Sequence, residues 1–229
     1  MSRLDELIAE LPPLMALLDR DPRGYPVPWF VDRAAPLHNG GPDFRIMDGN
    51  HLRQAIRERR CWVCGRPLRS ETGTYVIGPM CAINRVTAEP PCHLACARWS
   101  ARACPFLSQP KRIRDDVGMP IEATVAGIGI QRNPGVTLLW TGKGTPFHPP
   151  DLIHAVGRAK GRRGVLFSLG DPEALEWWAN GRVATREEVL TSIETGLPVL
   201  MQTAELEGSA AVYDLGRQVE RGLRLVPAA

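Results

Sequence analysis

CWVCGRPLRSETGTYVIGPMCAINRVTAEPPCHLACARWSARAC, residues 61–104, holds all six cysteines of the chain and one of its five histidines. Cys61 and Cys64 bracket Trp62 and Val63 and are followed by Gly65, a CxxCG turn that aims two thiolates at one point, as a zinc knuckle does. Two short β-prone runs follow, residues 74–77 and 83–87, and Gly78 with Pro79 between them predicts a hairpin. Pro90 and Pro91 stop the second run. Residues 92–103 contain neither Gly nor Pro and predict a helix whose first turn carries His93 and Cys96, three apart and so on one face. Knuckle, hairpin, then a helix that supplies the last ligands is the order of a treble-clef zinc finger. Cys61, Cys64, His93 and Cys96 fill a closed tetrahedral zinc site of the structural kind.

Other uses of the cysteines stay open at this point. Cys92, four residues before Cys96, offers a four-thiolate site in place of His93, although an i, i+3 pair at a helix start suits the fold better. An iron–sulfur cluster on Cys61, Cys64, Cys96 and one other cysteine is a further option, but the spacing matches neither ferredoxin pattern. Cysteines that merely pack are disfavoured by their clustering, and nothing marks secretion to support a disulfide framework. Cys81 and Cys104 read as small buried apolar residues.

The runs CWVCG, VIGPMCAINR, EPPCHLACA and ACPFL, with PVPWFV and PDFRI upstream and WWANGR, ATREEVL and SIETGLP downstream, resemble a family of zinc-finger-containing proteins carried by bacteriophages and prophages. The resemblance covers most of the chain. Members of that family often carry Ser where this chain has Cys92, which implies His93 with Cys96 as ligands. It implies an origin and an architecture and brings no activity with it.

Composition excludes little. A chain of 229 residues is long enough to bury a core without a metal, so zinc is expected to organise one part of it. The balance of 28 Lys and Arg against 25 Asp and Glu is only mildly basic and selects no partner. No run is long and apolar enough to cross a membrane. At the N-terminus Asp5 and Glu6 stand where a signal peptide would be positive, and Pro12 and Pro13 interrupt its apolar stretch. Free thiols in such a chain predict a reducing cytoplasm, which for a phage protein is the host cell's.

The expected fold is α+β in three parts. Residues 1–43 form an N-terminal helix, with Leu4, Leu7, Ile8 and Leu11 at helical spacing, and an irregular arm anchored by Trp29, Phe30 and Val31. Residues 44–116 form the zinc-binding module, led in by a strand over 44–47 and a helix over 50–59. Residues 117–229 form an α+β part with strands over 121–131, 136–141 and 165–169, and a boundary is expected within 109–120. Between the strands, Lys143 sits between two glycines in a segment that lacks the Walker spacing and predicts a flexible turn. Asp171 and Pro172 predict a helix start, ended by Asn180 and Gly181. Thr185 and Glu188 predict a capping box for a second helix, stopped by Gly196 and Pro198, and a last helix is expected over 210–225.

Function is less legible. Lys111, Arg112 and Arg114, with Arg98 and Arg102 one turn apart on the preceding helix, and Arg57, Arg59 and Arg60 on the other side of the knuckle, are candidate phosphate contacts for DNA or RNA. Glu58, Asp115 and Asp116 dilute them, so solvated surface charge is the competing reading. A host-protein partner, met through Trp29 or Trp178, is the alternative. A zinc deaminase needs Glu two residues after the His, where this chain has Ala95. An HNH-type nuclease needs a further His near the hairpin, and His38, His51, His148 and His154 lie far off in sequence, as surface or hydrogen-bonded residues. The reading leans away from an enzyme, leaving one only if its site is assembled from dispersed residues.

Overall fold

The computed structural model describes residues 2–108, 134–148 and 165–228. In chain order these form α1 (Arg3–Ala9), α2 (Gly49–Glu58), β1 (Gly73–Ile77), α3 (Pro79–Asn84), β2 (Val86–Thr87), α4 (Leu94–Ala103), α5 (Pro105–Ser108), β3 (Thr137–Phe147), β4 (Leu166–Ala179), β5 (Arg182–Val183), α6 (Arg186–Glu207) and α7 (Ser209–Leu223). This mixture of helix and sheet fits the expected α+β class.

One antiparallel sheet, in the order β1-β3-β4-β2 with β5 on the end of β4, organises the molecule. Its strands alternate between two cores, because successive strand residues point to opposite faces. Tyr75 and Ile77 of β1, Leu138 and Trp140 of β3, and Trp177 and Ala179 of β4 pack with Val189 and Ile193 of α6 and Leu215 of α7. Val76, Leu139 and Trp178, one residue out of step on the same strands, face the other core with Cys61, Cys64, Cys96, Ala97 and Trp99. Residues 61–68 and α4 therefore cover one face of the sheet, and α3, α6 and α7 cover the other. Because β1 pairs with β3 across Gly73↔Gly142 to Ile77↔Leu138, the sheet crosses the expected division between residues 44–116 and 117–229. The boundary sought within 109–120, and the strand over 121–131, lie outside the described residues.

Several local expectations give way to this sheet. Residues 74–77 and 83–87 do not form a hairpin: Gly78 is the N-cap and Pro79 the first residue of α3, where proline's missing N–H costs nothing, and β1 and β2 pair with different strands. Residues 171–179 continue β4 in place of a helix, since ten residues of register with β3 outweigh the local start signal at Asp171 and Pro172. Asn180 and Gly181, both left-handed (φ 53° and 73°), make the two-residue hairpin turn into β5 in place of a helix end. Lys143 is likewise no free turn but part of β3, at the irregularity between Gly142 and Gly144. Residues 44–47 form no strand: Ile46 and Met47 take part only in isolated bridges, Met47 with Val31.

The helices follow the sequence more closely. Ser2 and Asp5 close a capping box on α1, and Thr185 and Glu188 close the expected one on α6. α6 runs on through Gly196 and Pro198 to Glu207, because Leu197, Leu200, Met201 and Ala204 continue its packing on the core. Gly222 in α7 marks a close approach: a Cβ there would lie 2.9 Å from Ile83 Cγ1 of α3.

Candidate metal centre

Four side chains converge at the start of α4. One ligand atom each from Cys61, Cys64, His93 and Cys96 lies within 4.8 Å of the other three, and this is the only such His, Cys, Asp or Glu group among the described residues. A Cys3His set at that separation can hold a metal ion.

The knuckle is built by its backbone. Leu68 N–H donates to the Arg59 carbonyl at 2.7 Å and Cys61 N–H to the Arg66 carbonyl at 2.8 Å, so residues 59–61 and 66–68 run as a short antiparallel ribbon. At its tip the Cys64 N–H points at Cys61 Sγ (3.5 Å), and the Arg66 N–H faces the Cys64 sulfur. Gly65 makes the turn with φ 71°, and the Trp29 indole lies across it so closely that a Cβ would sit 2.5 Å from Trp29 Cγ. Trp29 N–H in turn donates to the Val63 carbonyl at 2.7 Å, and Phe30 stacks on Trp62 with ring centroids 5.0 Å apart. The irregular N-terminal arm thus serves as the knuckle's outer wall.

The other two ligands come from the helix start, with one adjustment. α4 begins at Leu94, so His93 is its N-cap and lies just outside the first turn. Its N–H points at Cys61 Sγ (3.4 Å), and its ring Nδ1 lies 3.3 Å from Cys64 Sγ. Ring Nε2 is 3.2 Å from the Pro67 carbonyl, which can only accept, so Nε2 carries the proton and Nδ1 presents its lone pair to the sulfurs. Cys92 is not in the group. Its backbone exchanges two hydrogen bonds with Thr74 (2.8 and 2.9 Å), and of the clustered thiols its sulfur interacts with Cys61. The sequence holds no cue to Trp29 over Gly65, or to the Pro67 carbonyl that orients His93, because both contacts depend on how the chain folds back.

Crowded thiols compete for one charge. Hydrogen bonds from the thiols of Cys64, Cys92 and Cys96 pull Cys61 far toward thiolate, and that thiolate pushes Cys64 up to about 11 and Cys96 higher still. Three thiolates at this spacing need a cation among them, which is the electrostatic condition a bound metal meets. Cys81 and Cys104 stand apart from the group, each pushed up first by burial.

The basic residues separate into two sets. Arg98 is bound to Glu176 of β4, with Nε 2.9 Å from one carboxylate oxygen and Nη2 2.5 Å from the other, and Arg102 pairs with Glu10. Both are therefore engaged within the fold. Lys111, Arg112 and Arg114 lie outside the described residues, as does His154. Trp177 is buried in one core while Trp178 packs against the other, and Trp29 covers Gly65, so neither Trp29 nor Trp178 stands free as an anchor. His38 meets Arg45 (3.3 Å), and His51 stacks on Trp29 at 4.2 Å. No helix among the described residues is long and apolar enough to cross a membrane.

No family model, curated protein or solved structure matches the chain.

Proposed function

We propose that Cys61, Cys64, His93 and Cys96 hold one structural zinc ion, and that the protein acts by binding, as a phage-encoded factor that engages nucleic acid or a nucleic-acid-handling host complex. The observation that carries the metal assignment is the convergence of three thiols and an oriented imidazole within 4.8 Å. Mixed sulfur and nitrogen ligands in a four-membered set suit Zn2+, whereas a cubane or rhombic iron–sulfur cluster asks for a fourth thiolate that Cys92 is not placed to give. Two ligands from a knuckle and two from a helix start is the treble-clef arrangement, with α3 and β2 inserted where that fold has a plain hairpin. Four protein ligands fill a tetrahedral shell and leave no position for a reactive water, which supports a structural role over a catalytic one.

Elemental analysis of the purified protein tests the metal assignment. One zinc per chain is expected, lost in Cys61→Ser and kept in Cys81→Ser and Cys92→Ser; iron, or no metal, overturns it. A host-protein partner is the second reading. It is favoured by the exposed Val199, Leu206 and Tyr213 on α6 and α7, which are far more open than either tryptophan first considered as an anchor.

A further inference from the structure

The knuckle carries a second feature besides its sulfurs. Between residues 53 and 69 the chain has six arginines, Arg53, Arg57, Arg59, Arg60, Arg66 and Arg69, against the single acid Glu58. Five of the six are exposed, Arg60 being half-buried. They sit on two consecutive elements. Arg53 and Arg57 are one turn apart on α2, so they share a face of that helix. α2 is capped by Arg59, left-handed at φ 51°, which leads directly into the ribbon in which Arg59 lies opposite Leu68 and Cys61 opposite Arg66.

Their charge is largely uncompensated. Arg57 and Arg60 share Glu58, at 2.5 and 2.8 Å. Arg53 donates to the neutral Asn50 side chain, and Arg59 to the Ser70 carbonyl at 2.7 Å. Arg66 and Arg69 have no ion-pair partner among the described residues, and the neighbouring Glu71 is taken by Lys143 at 2.5 Å. This contrasts with Arg98 and Arg102, whose guanidinium groups are bound to Glu176 and Glu10.

We infer that the face formed by the end of α2 and the knuckle ribbon, with Arg53, Arg66 and Arg69 as its cations without an acidic partner among the described residues, binds the phosphodiester backbone of nucleic acid. The inference rests on the nucleic-acid reading above and moves its contact surface from Arg98 and Arg102 to the knuckle. Every cation of the face is arginine, whose planar fork pairs with phosphate oxygens through two parallel hydrogen bonds, which lysine cannot do. The other exposed residues between them, Glu58 and Pro67, offer no large apolar side chain to a lipid surface. The ribbon's backbone is fixed by its own hydrogen bonds, so the chain positions that carry Arg59, Arg60 and Arg66 are set before a partner arrives.

Fluorescence anisotropy with a labelled 25-base-pair DNA duplex and the matching single strand, over a salt series, tests this in the full chain. Arg53→Gln/Arg66→Gln/Arg69→Gln should weaken binding to both probes and lower the slope of log affinity against log salt by about 0.9 per lost duplex contact. Arg98→Gln/Arg102→Gln should leave that slope unchanged. Metal content and far-UV circular dichroism equal to wild type show that the variants fold. The Lys versions at 53, 66 and 69 should keep the slope, which separates lost charge from lost structure. Wild-type binding that survives in the triple Gln variant with its slope intact overturns this face and leaves the nucleic-acid reading standing. No wild-type binding to either probe at low salt overturns both.

Discussion

Gly65 shows how much one position decides at the residue scale. Its φ of 71° lies where only glycine is unstrained, and its missing side chain is the space that the Trp29 ring occupies. Gly65→Ala has to meet both costs together. We expect a loss of stability of about 1–3 kcal/mol from the strained backbone, with displacement of Trp29 in addition. Urea denaturation followed by tryptophan fluorescence checks this: a red-shifted native emission together with a lower midpoint is expected, and an unchanged midpoint refutes it. His93 is decided at the same scale by a contact of its other nitrogen. The Pro67 carbonyl selects the ring tautomer, so the nitrogen that faces the sulfurs is set by a residue outside the group of four.

At the scale of elements, α4 is held to its surroundings by side chains on its outward face as well as by its buried one. Trp99 Nε1–H donates to the Leu7 carbonyl at 2.8 Å and ties α1 to α4, while Arg98 ties α4 to Glu176 on β4. The Arg98 guanidinium holds the Glu176 carboxyl below the usual glutamate range. A carboxylate whose folded value is depressed stabilises the fold above its unfolded value, about 4.3, and loses that contribution as the pH falls through the folded value. Arg98 is half exposed, so solvent screening limits the pair to about 0.2–1 kcal/mol. A double-mutant cycle on Arg98→Ala and Glu176→Ala should give a coupling of that size at pH 7 and none below the folded value; a coupling that persists in acid would show that packing, not charge, joins the two elements.

At the scale of the molecule, the described residues form two cores on the two faces of one sheet, and with the proposed zinc in place this predicts a divided response to metal removal. One core is built from the knuckle, α4 and the N-terminal arm; the other from α3, α6 and α7. Because the binding energy of a structural metal is also local folding energy, a chelator should loosen the first core while the second retains its own burial. Hydrogen exchange in the presence of a strong zinc chelator is expected to speed up in residues 59–68 and 92–97. The amides of β3 and of α6 should keep most of their protection. Uniform loss across both sets would mean that the metal supports the entire fold.

The sequence alone determined which four side chains meet, because their spacing is local: CxxCG brings Cys61 and Cys64 together by its own turn, and His93, three residues before Cys96, joins it as the N-cap of α4. It also determined the capping box at Thr185 and Glu188, which closes within four residues. The tertiary structure decided what depends on distant partners. Gly78 and Pro79 are equally good at turning a hairpin and at starting α3, and only the pairing of β1 with β3 selects between them. Residues 171–179 carry real helix signals, yet they form a strand because register with β3 and burial of Trp177 supply more than a cap does. Arg98 and Arg102 look as available as Arg66 and Arg69 when read in order. Which of them is left to face a partner depends on where the fold brings Glu176 and Glu10, and these lie 78 and 92 residues away along the chain.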